Sequence, residues 1–365
     1  MKIICTQENL KTSLQIIGRV AGSSNTLPIL NNVLLKTENG QLKLQATNLE
    51  VAISTYMRCK IEEEGAVTVV SKIINDLVNS LPNQNLTIQT AENNVLKIET
   101  ENYHTTLKTL PEEEFPLIPS VENGYEVSLK AEDLKKSLDQ VSFASSTNQT
   151  QPEITGVLFS IGKNLKLAAT DRYRLAEKIL SIKGLSTEHQ SILPHKTIQE
   201  LSRIIGPQSG EARLVFNDTQ TLFKFSGTEI ISRLVDGQYP DYQQIIPTNF
   251  TTEIYASKQQ LIGALKTVAV FSQGNNSVKL EYSEPEQKLS FAAESSELGR
   301  SKVDLGCEIR GGVGSLVLNY RYVLDCLGSM DGDEVVLKIN NNTSPTLVVP
   351  RQSADYLYLV MPIQG

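Results

Sequence analysis

The run Leu165-Lys166-Leu167-Ala168-Ala169-Thr170 has two siblings in the same chain. Leu42-Lys43-Leu44-Gln45-Ala46-Thr47 lies 123 positions earlier, and Leu289-Ser290-Phe291-Ala292-Ala293-Glu294 lies 124 positions later. Each alternates apolar residues with period two, as a half-buried strand does. Phe115-Pro116 and Tyr239-Pro240 repeat the same spacing of 124. Solenoid repeats run about 20–50 residues, so a period this long means tandem domains. The 365 residues are therefore expected to form three copies of one domain, over 1–121, 122–248 and 249–365.

Each third opens with a strand, at residues 2–5, 126–129 and 253–255, followed by a helix. Leu10/Leu14, Leu134/Leu138 and Leu261/Leu265 are spaced i,i+4, which stacks them on one helical face. A strand pair follows, turning in the first third at Asn39-Gly40, a dipeptide suited to a tight hairpin. Next come a strand and a second helix: 67–70 with 73–81, 191–193 with 197–205, and 315–318 with 322–327. Two closing strands end near Leu110, Leu234 and Met361. The expected fold class is α+β, with two short helices laid on antiparallel sheets in each repeat.

Little in the chain points to catalysis. Cys5, Cys59, Cys307 and Cys326 make no CxxC pair and read as reduced apolar residues. His104, His189 and His195 stand at no metal-ligand spacing, so neither metal nor cofactor is expected. The sequence contains no GxxxxGK[ST], GxGxxG, GxSxG or HExxH. Asp171-Arg172-Tyr173-Arg174 is the charged centre an enzyme would use, but no paired base or nucleophile accompanies it. No apolar run reaches the roughly 18 residues of a membrane helix. The first residues turn polar too early for a secretory signal, so a cytoplasmic protein is expected. The chain carries −7, yet the six helical segments together carry +3, leaving −10 for the remainder. That split suits a helical face that tolerates phosphates and sheets that repel them. Scattered solvated charge accounts for the same numbers.

From end to end the chain resembles the bacterial sliding clamp family, the β subunit of DNA polymerase III. The resemblance rests on Thr26-Leu27-Pro28-Ile29-Leu30-Asn31-Asn32, Gly156-Val157-Leu158-Phe159 and Ala169-Thr170-Asp171-Arg172-Tyr173-Arg174-Leu175-Ala176. It rests equally on Leu234-Val235-Asp236-Gly237-Gln238-Tyr239-Pro240-Asp241-Tyr242 and the final Tyr358-Leu359-Val360-Met361-Pro362-Ile363. The resemblance implies three clamp domains per chain and a head-to-tail homodimer. Six similar domains would close a ring, sheets outside and helices inside, around non-specifically bound duplex DNA. A clamp loader, the replicative DNA polymerase and other proteins with a clamp-binding motif are implied as partners, and no membrane. A clamp-like scaffold that does not encircle DNA is the alternative.

The same resemblance implies sites. A partner peptide would enter a pocket walled by Ile154, Thr170, Tyr173, Arg174 and Leu175, and by Pro240 and Ile245. Asn319, Tyr322, Leu359, Met361, Pro362 and Ile363 complete it. Leu, Ile and Met make an adaptable socket, while Arg174, Asn319 and Tyr322 would fix a peptide backbone. Without the family, Met361-Pro362-Ile363 reads more simply as a buried terminal strand. The helical cations Lys11, Arg19, Lys72, Lys136, Lys196, Arg203, Lys266 and Arg321 would face DNA, with Ser24 and Asn148 at loop positions resembling contact sites. Ring closure would set Leu107 against Val270 and Phe271, although the latter pair reads equally as core at a helix end. The chain departs from the family at Arg172 (usually Gly), Tyr173 (often His), Gln244 (often Arg), Ser24 (often Arg) and Asn276 (aromatic in some members).

Overall fold

The computed structural model describes residues 1–21, 27–121, 123–182, 188–206, 210–272, 274 and 276–364. Six α-helices occur among them, two in each third: α1 (Gln7–Ile17), α2 (Ser71–Ser80), α3 (Ala131–Val141), α4 (His195–Ile204), α5 (Lys258–Ala269) and α6 (Tyr320–Ser329). The three copies of the repeated run fall in the equivalent strands Gln41–Thr47, Leu165–Thr170 and Lys288–Ser295. Each is the middle strand of an antiparallel meander. Its neighbours are Asn32–Glu38 and Val51–Met57, then Gly156–Ile161 and Arg174–Leu180, then Ser277–Ser283 and Gly299–Gly306. Asn39 and Gly40 make the first hairpin turn with φ of 50° and 75°, as their residue types allow.

One expectation is corrected. After the second helix each third has three strands, not two. The first third's set is Asn85–Ala91, Val95–Glu99 and His104–Leu110. Asn85–Ala91 is buried at Leu86 and Ile88 but ends in half-buried Gln and Thr residues, which blurs its period-two signal.

The chain divides into two compact units that cut across the thirds: Met1–Leu134 with Gln199–Leu234, and Lys135–Ile198 with Val235–Gly365. Strand pairing between thirds is the physical reason. In the first unit Thr228–Arg233 pairs antiparallel with Val51–Met57, Ile230 opposite Ile53, inside a 13-stranded sheet. In the second, Arg174–Leu180 pairs antiparallel with Tyr356–Val360, Ala176 opposite Tyr358, inside a nine-stranded sheet. A four-stranded sheet ending on Gly299–Gly306 also belongs to this unit.

Helix burial follows the leucine spacing. Leu10, Leu14 and Ile17 of α1 are fully buried, as are Ile74 and Val78 of α2. Each such side chain contributes about 1.5–3 kcal/mol relative to exposure. Thr6 caps α1 by accepting the Asn9 N–H, and Ser257 caps α5 by accepting that of Gln260. Leu261, Leu265 and Val268 of α5, with Val323 and Leu327 of α6, are buried in the second unit. Burial pushes the Cys5 thiol up to about 12, in keeping with an apolar rather than reactive role.

Gly156 opens the strand Gly156–Ile161 opposite Pro194. A Cβ there would stand 2.4 Å from the Leu193 carbonyl oxygen and 2.8 Å from Ile192 Cγ2. Gly156→Ala is expected to lose about 1–3 kcal/mol of stability through this overpacking, read from the urea midpoint at unchanged m-value.

Candidate partner-peptide site

Leu165–Thr170 returns as Arg174–Leu180 through Asp171, Arg172 and Tyr173. Thr170 Oγ1 donates to the Arg174 carbonyl at 2.7 Å and accepts the Arg172 N–H at 3.1 Å. Asp171 Oδ1 accepts the N–H groups of Tyr173 and Arg174, each at 3.0 Å. These short polar side chains hold Arg172 at φ 77°, a region that favours glycine. Arg172 and Tyr173 consequently project from a stiff turn, with Tyr173 64% exposed.

Arg174 turns inward. Its Nε donates to Asp171 Oδ2 at 3.0 Å and its Nη1 to Asp325 Oδ2 at 2.6 Å. The guanidinium lies 4.3 Å from the Tyr322 ring centroid and 5.6 Å from that of Phe143. Burial opposes its charge, but the Tyr358 phenol and the Asp325 and Asp171 carboxylates together outweigh burial and raise its pKa. The charged centre at 171–174 is therefore a brace, with Asp171 and Arg174 neutralising each other inside the turn. Burial is also the main cause that raises the Tyr322 phenol.

The floor beside this turn is apolar. Ile154, Leu158, Leu175, Tyr239, Tyr242 and Leu359 belong to one buried cluster, with Ile246 and Phe250 packed on it. Around it stand exposed Tyr173, Pro240, Ile245 and Ile363 and half-buried Met361. The tail is strapped across the turn: Met361 N–H donates to the Tyr173 carbonyl and Ile363 N–H to that of Val317, each at 2.8 Å. Pro362 is buried and Ile363 is 36% exposed, so this segment is tied down without being a strand. Thr170 is buried at 7%. Asn319 caps α6, its side-chain oxygen accepting the Arg321 N–H at 3.0 Å.

Three family matches cover the chain: DNA polymerase III beta subunit N-terminal domain over residues 1–119, central domain over 128–241 and C-terminal domain over 243–364. The chain belongs to the DNA polymerase III beta subunit family. A beta sliding clamp of Synechococcus elongatus is 32% identical over 378 residues, covering 100% of this chain and 99% of the relative. That of Pseudomonas aeruginosa is 30% identical over 368 residues, covering 100% of both. A crystal structure of the Pseudomonas aeruginosa clamp, bound to griselimycin, superimposes with a TM-score of 0.96 at 30% identity and full coverage of both chains. The family fold of three α+β repeats, two helices each, is the one described above.

The other residues singled out from the sequence fall as follows. Arg19, Lys72, Asn148, Lys196, Lys266 and Arg321 are exposed, and Lys11 is half-buried. Lys136 is exposed but paired with Asp331 at 2.8 Å. Arg203 is committed inside the first unit: it donates to the Gln15 and Ile16 carbonyls and to Glu200, capping the end of α1. Ser24 lies outside the described residues. Leu107 and Phe271 are half-buried, while Val270, 63% exposed, is no core residue.

Sequence reasoning missed Asp325, Phe143, Tyr242 and Glu177 as neighbours of the pocket residues. Only Tyr242 carried a signal, as the last residue of the Asp236–Tyr242 run. Arg174, expected to fix a peptide backbone, also braces the turn, with Nε on Asp171 and Nη1 on Asp325. Arg174→Ala would take the cation from Asp171 Oδ2 and Asp325 and is expected to cost about 1 kcal/mol. Arg174→Lys should recover little, because an ammonium cannot bridge two carboxylates while stacking on Tyr322. Urea denaturation of both variants checks this.

Proposed function

We propose that the protein is a processivity factor for DNA polymerase. Two copies close head to tail into a ring, six repeats in all, that encircles duplex DNA and slides along it. The ring binds rather than catalyses, works in the cytoplasm, and consists of repeats over 1–121, 122–248 and 249–365. A clamp loader opens it, and the replicative polymerase and other partners attach by short peptides.

The observation that carries this reading is a mismatch in strand edges. Within the chain, the third meander strand of one repeat pairs with the closing strand of the next: Val51–Met57 with Thr228–Arg233, and Arg174–Leu180 with Tyr356–Val360. Two such edges remain. Gly299–Gly306 pairs on one side only, with Lys288–Ser295. His104–Leu110 pairs with Val95–Glu99 along its length and meets a second strand only at Thr109 and Leu110. An open edge attracts another strand. Two copies related by a two-fold axis would join these edges twice and close the ring. Leu107 lies on one edge strand, and Val270 and Phe271 follow α5 in the repeat that carries the other.

The exposed cations Arg19, Lys72, Lys196, Lys266 and Arg321, with Lys11, would line the hole and meet phosphates without reading bases. The partner pocket takes a peptide with a glutamine followed by leucine or phenylalanine, its apolar side chains entering between Leu175, Leu359, Pro240, Ile245 and Met361. Asn319 and Tyr322 meet its backbone.

Once loaded on nicked circular DNA, the protein should stay bound through gel filtration and be released when the circle is linearised. Equal retention on both forms would mean local contacts, not encirclement, hold it. Deleting residues 361–365 should leave a dimer by sedimentation yet weaken a fluorescein-labelled Gln-Leu-Phe-containing peptide at least tenfold, about 1.4 kcal/mol. Unchanged anisotropy titrations would move the peptide site elsewhere.

A further inference from the structure

A carboxylate stands where an aliphatic side chain would be expected. Across the nine-stranded sheet, one row of directly opposed residues reads Ile192, Leu158, Ala168, Glu177, Leu357. Ile192, Leu158 and Ala168 belong to the apolar cluster under the pocket, and Leu357 packs on it. Glu177 is 5% exposed. Its neighbour Lys178 faces the opposite side of the strand and is neutralised there by Asp355 at 2.7 Å. A buried carboxylate is costly unless hydrogen-bonded.

Its partner is a loop residue. Tyr242 Oη donates to Glu177 Oε2 at 2.5 Å. Burial first, and the Glu177 charge second, push the Tyr242 phenol well above its ordinary value, so the hydroxyl keeps its proton to donate. Tyr242 opens the 3-10 turn Tyr242–Ile245, and its ring meets that of Tyr239 edge-on at 6.3 Å. The backbone bonds of this segment close within it: Tyr242 N–H on the Pro240 carbonyl and Ile246 N–H on that of Gln243. Gln244 likewise bonds Asp241. Apolar contacts can slide, whereas a short charge-assisted bond fixes direction and distance.

We propose that Glu177 is a positioning residue for the partner pocket: its carboxylate tethers Tyr242 to the sheet and thereby sets where Pro240 and Ile245 stand. The cross-strand row in front of Glu177 is Thr170, Leu175, Leu359, the pocket floor itself. On that reading the tether lies one row behind the surface a peptide touches, with the Tyr242–Ile245 turn built over it. Glu177 need not touch the peptide; it holds one wall at a fixed spacing from the other two. This rests on the partner-peptide reading of the site.

Three variants separate positioning from plain stability. Glu177→Leu strands the Tyr242 hydroxyl and should lower both Tm and affinity for the labelled Gln-Leu-Phe-containing peptide. Glu177→Leu/Tyr242→Phe removes both polar groups, so Tm should return to the wild-type value or above it, while affinity stays down about tenfold. Glu177→Gln keeps an acceptor and should recover most of the affinity. In the peptide-free protein, hydrogen exchange across residues 236–250 should quicken in the double variant, while the strand Tyr356–Val360 keeps its protection. Unchanged exchange in that segment overturns the tether whether or not any peptide binds. Affinity that recovers together with Tm in the double variant overturns the positioning role. Failure of the wild-type protein to bind the peptide, with exchange altered as expected, overturns the peptide assignment alone.

Discussion

An unpaired strand edge is the constraint on which this architecture turns. Every repeat ends its meander on a strand whose outer row of N–H and C=O groups needs partners, and every repeat ends on a closing strand with the same need. Joining the two between successive repeats satisfies both rows with backbone hydrogen bonds that depend little on side-chain identity. The register still matters: Ile230 opposite Ile53 and Ala176 opposite Tyr358 keep apolar faces aligned, because a one-residue slip would turn each face over. Seams of this kind explain why compactness follows two units rather than three thirds. They also explain why a three-repeat chain leaves Gly299–Gly306 paired on one side only and His104–Leu110 with a second partner at just two residues. On the proposed reading, these two edges are where a second copy joins.

The candidate pocket is a by-product of one seam. Where Arg174–Leu180 meets Tyr356–Val360, Leu175 and Leu359 are opposed and buried, and both chains then leave the sheet at the same end. One leaves into the 171–173 turn and the other into the 361–363 tail, which bonds back to that turn. A rigid floor with irregular walls results, which is where binding residues usually reside. Arg174 illustrates how the walls are held: two carboxylates and two aromatic rings fix its guanidinium. Arg172 is the reverse, an exposed side chain on a left-handed residue that the turn's hydrogen bonds make tolerable.

The sequence was legible wherever a period or a dipeptide carried the information. Leu10/Leu14 and Leu261/Leu265 located helices, Asn39-Gly40 a hairpin, and the recurring Leu-Lys-Leu run the equivalent strands. What failed was local signal at positions set by distant neighbours. Asn85–Ala91 lost its alternation because its far end is only half covered. Arg203 looked like a surface cation, yet its donors cap α1 from 187 and 188 residues away, a relation no helical pattern encodes. Glu177 looked like one more charge on a strand, and its role depends on Tyr242, 65 residues on. The resemblance supplied pocket residues that spacing could not, since they come from five separated stretches. It could not say which of them face a ligand and which brace the others.

The charge distribution completes the physical argument for holding DNA by enclosure. Of the helical cations, Lys136 is paired with Asp331 and Arg203 is spent on α1, which leaves about half a dozen per chain. Each phosphate neutralised steepens the salt dependence of binding by roughly 0.9 in the log–log slope, so so few contacts give weak, salt-sensitive affinity. Weak affinity is a defect in a protein that must find a sequence, but an advantage in one that must move. Non-specific phosphate contacts have nearly the same energy at every base pair, and fewer of them mean smaller barriers between positions. A closed ring then supplies the residence time that the contacts do not, because escape requires opening a strand seam rather than breaking salt bridges one at a time. On the proposed reading, the persistence of the protein on DNA is set at the Gly299–Gly306 and His104–Leu110 edges, and its mobility is set at the helices.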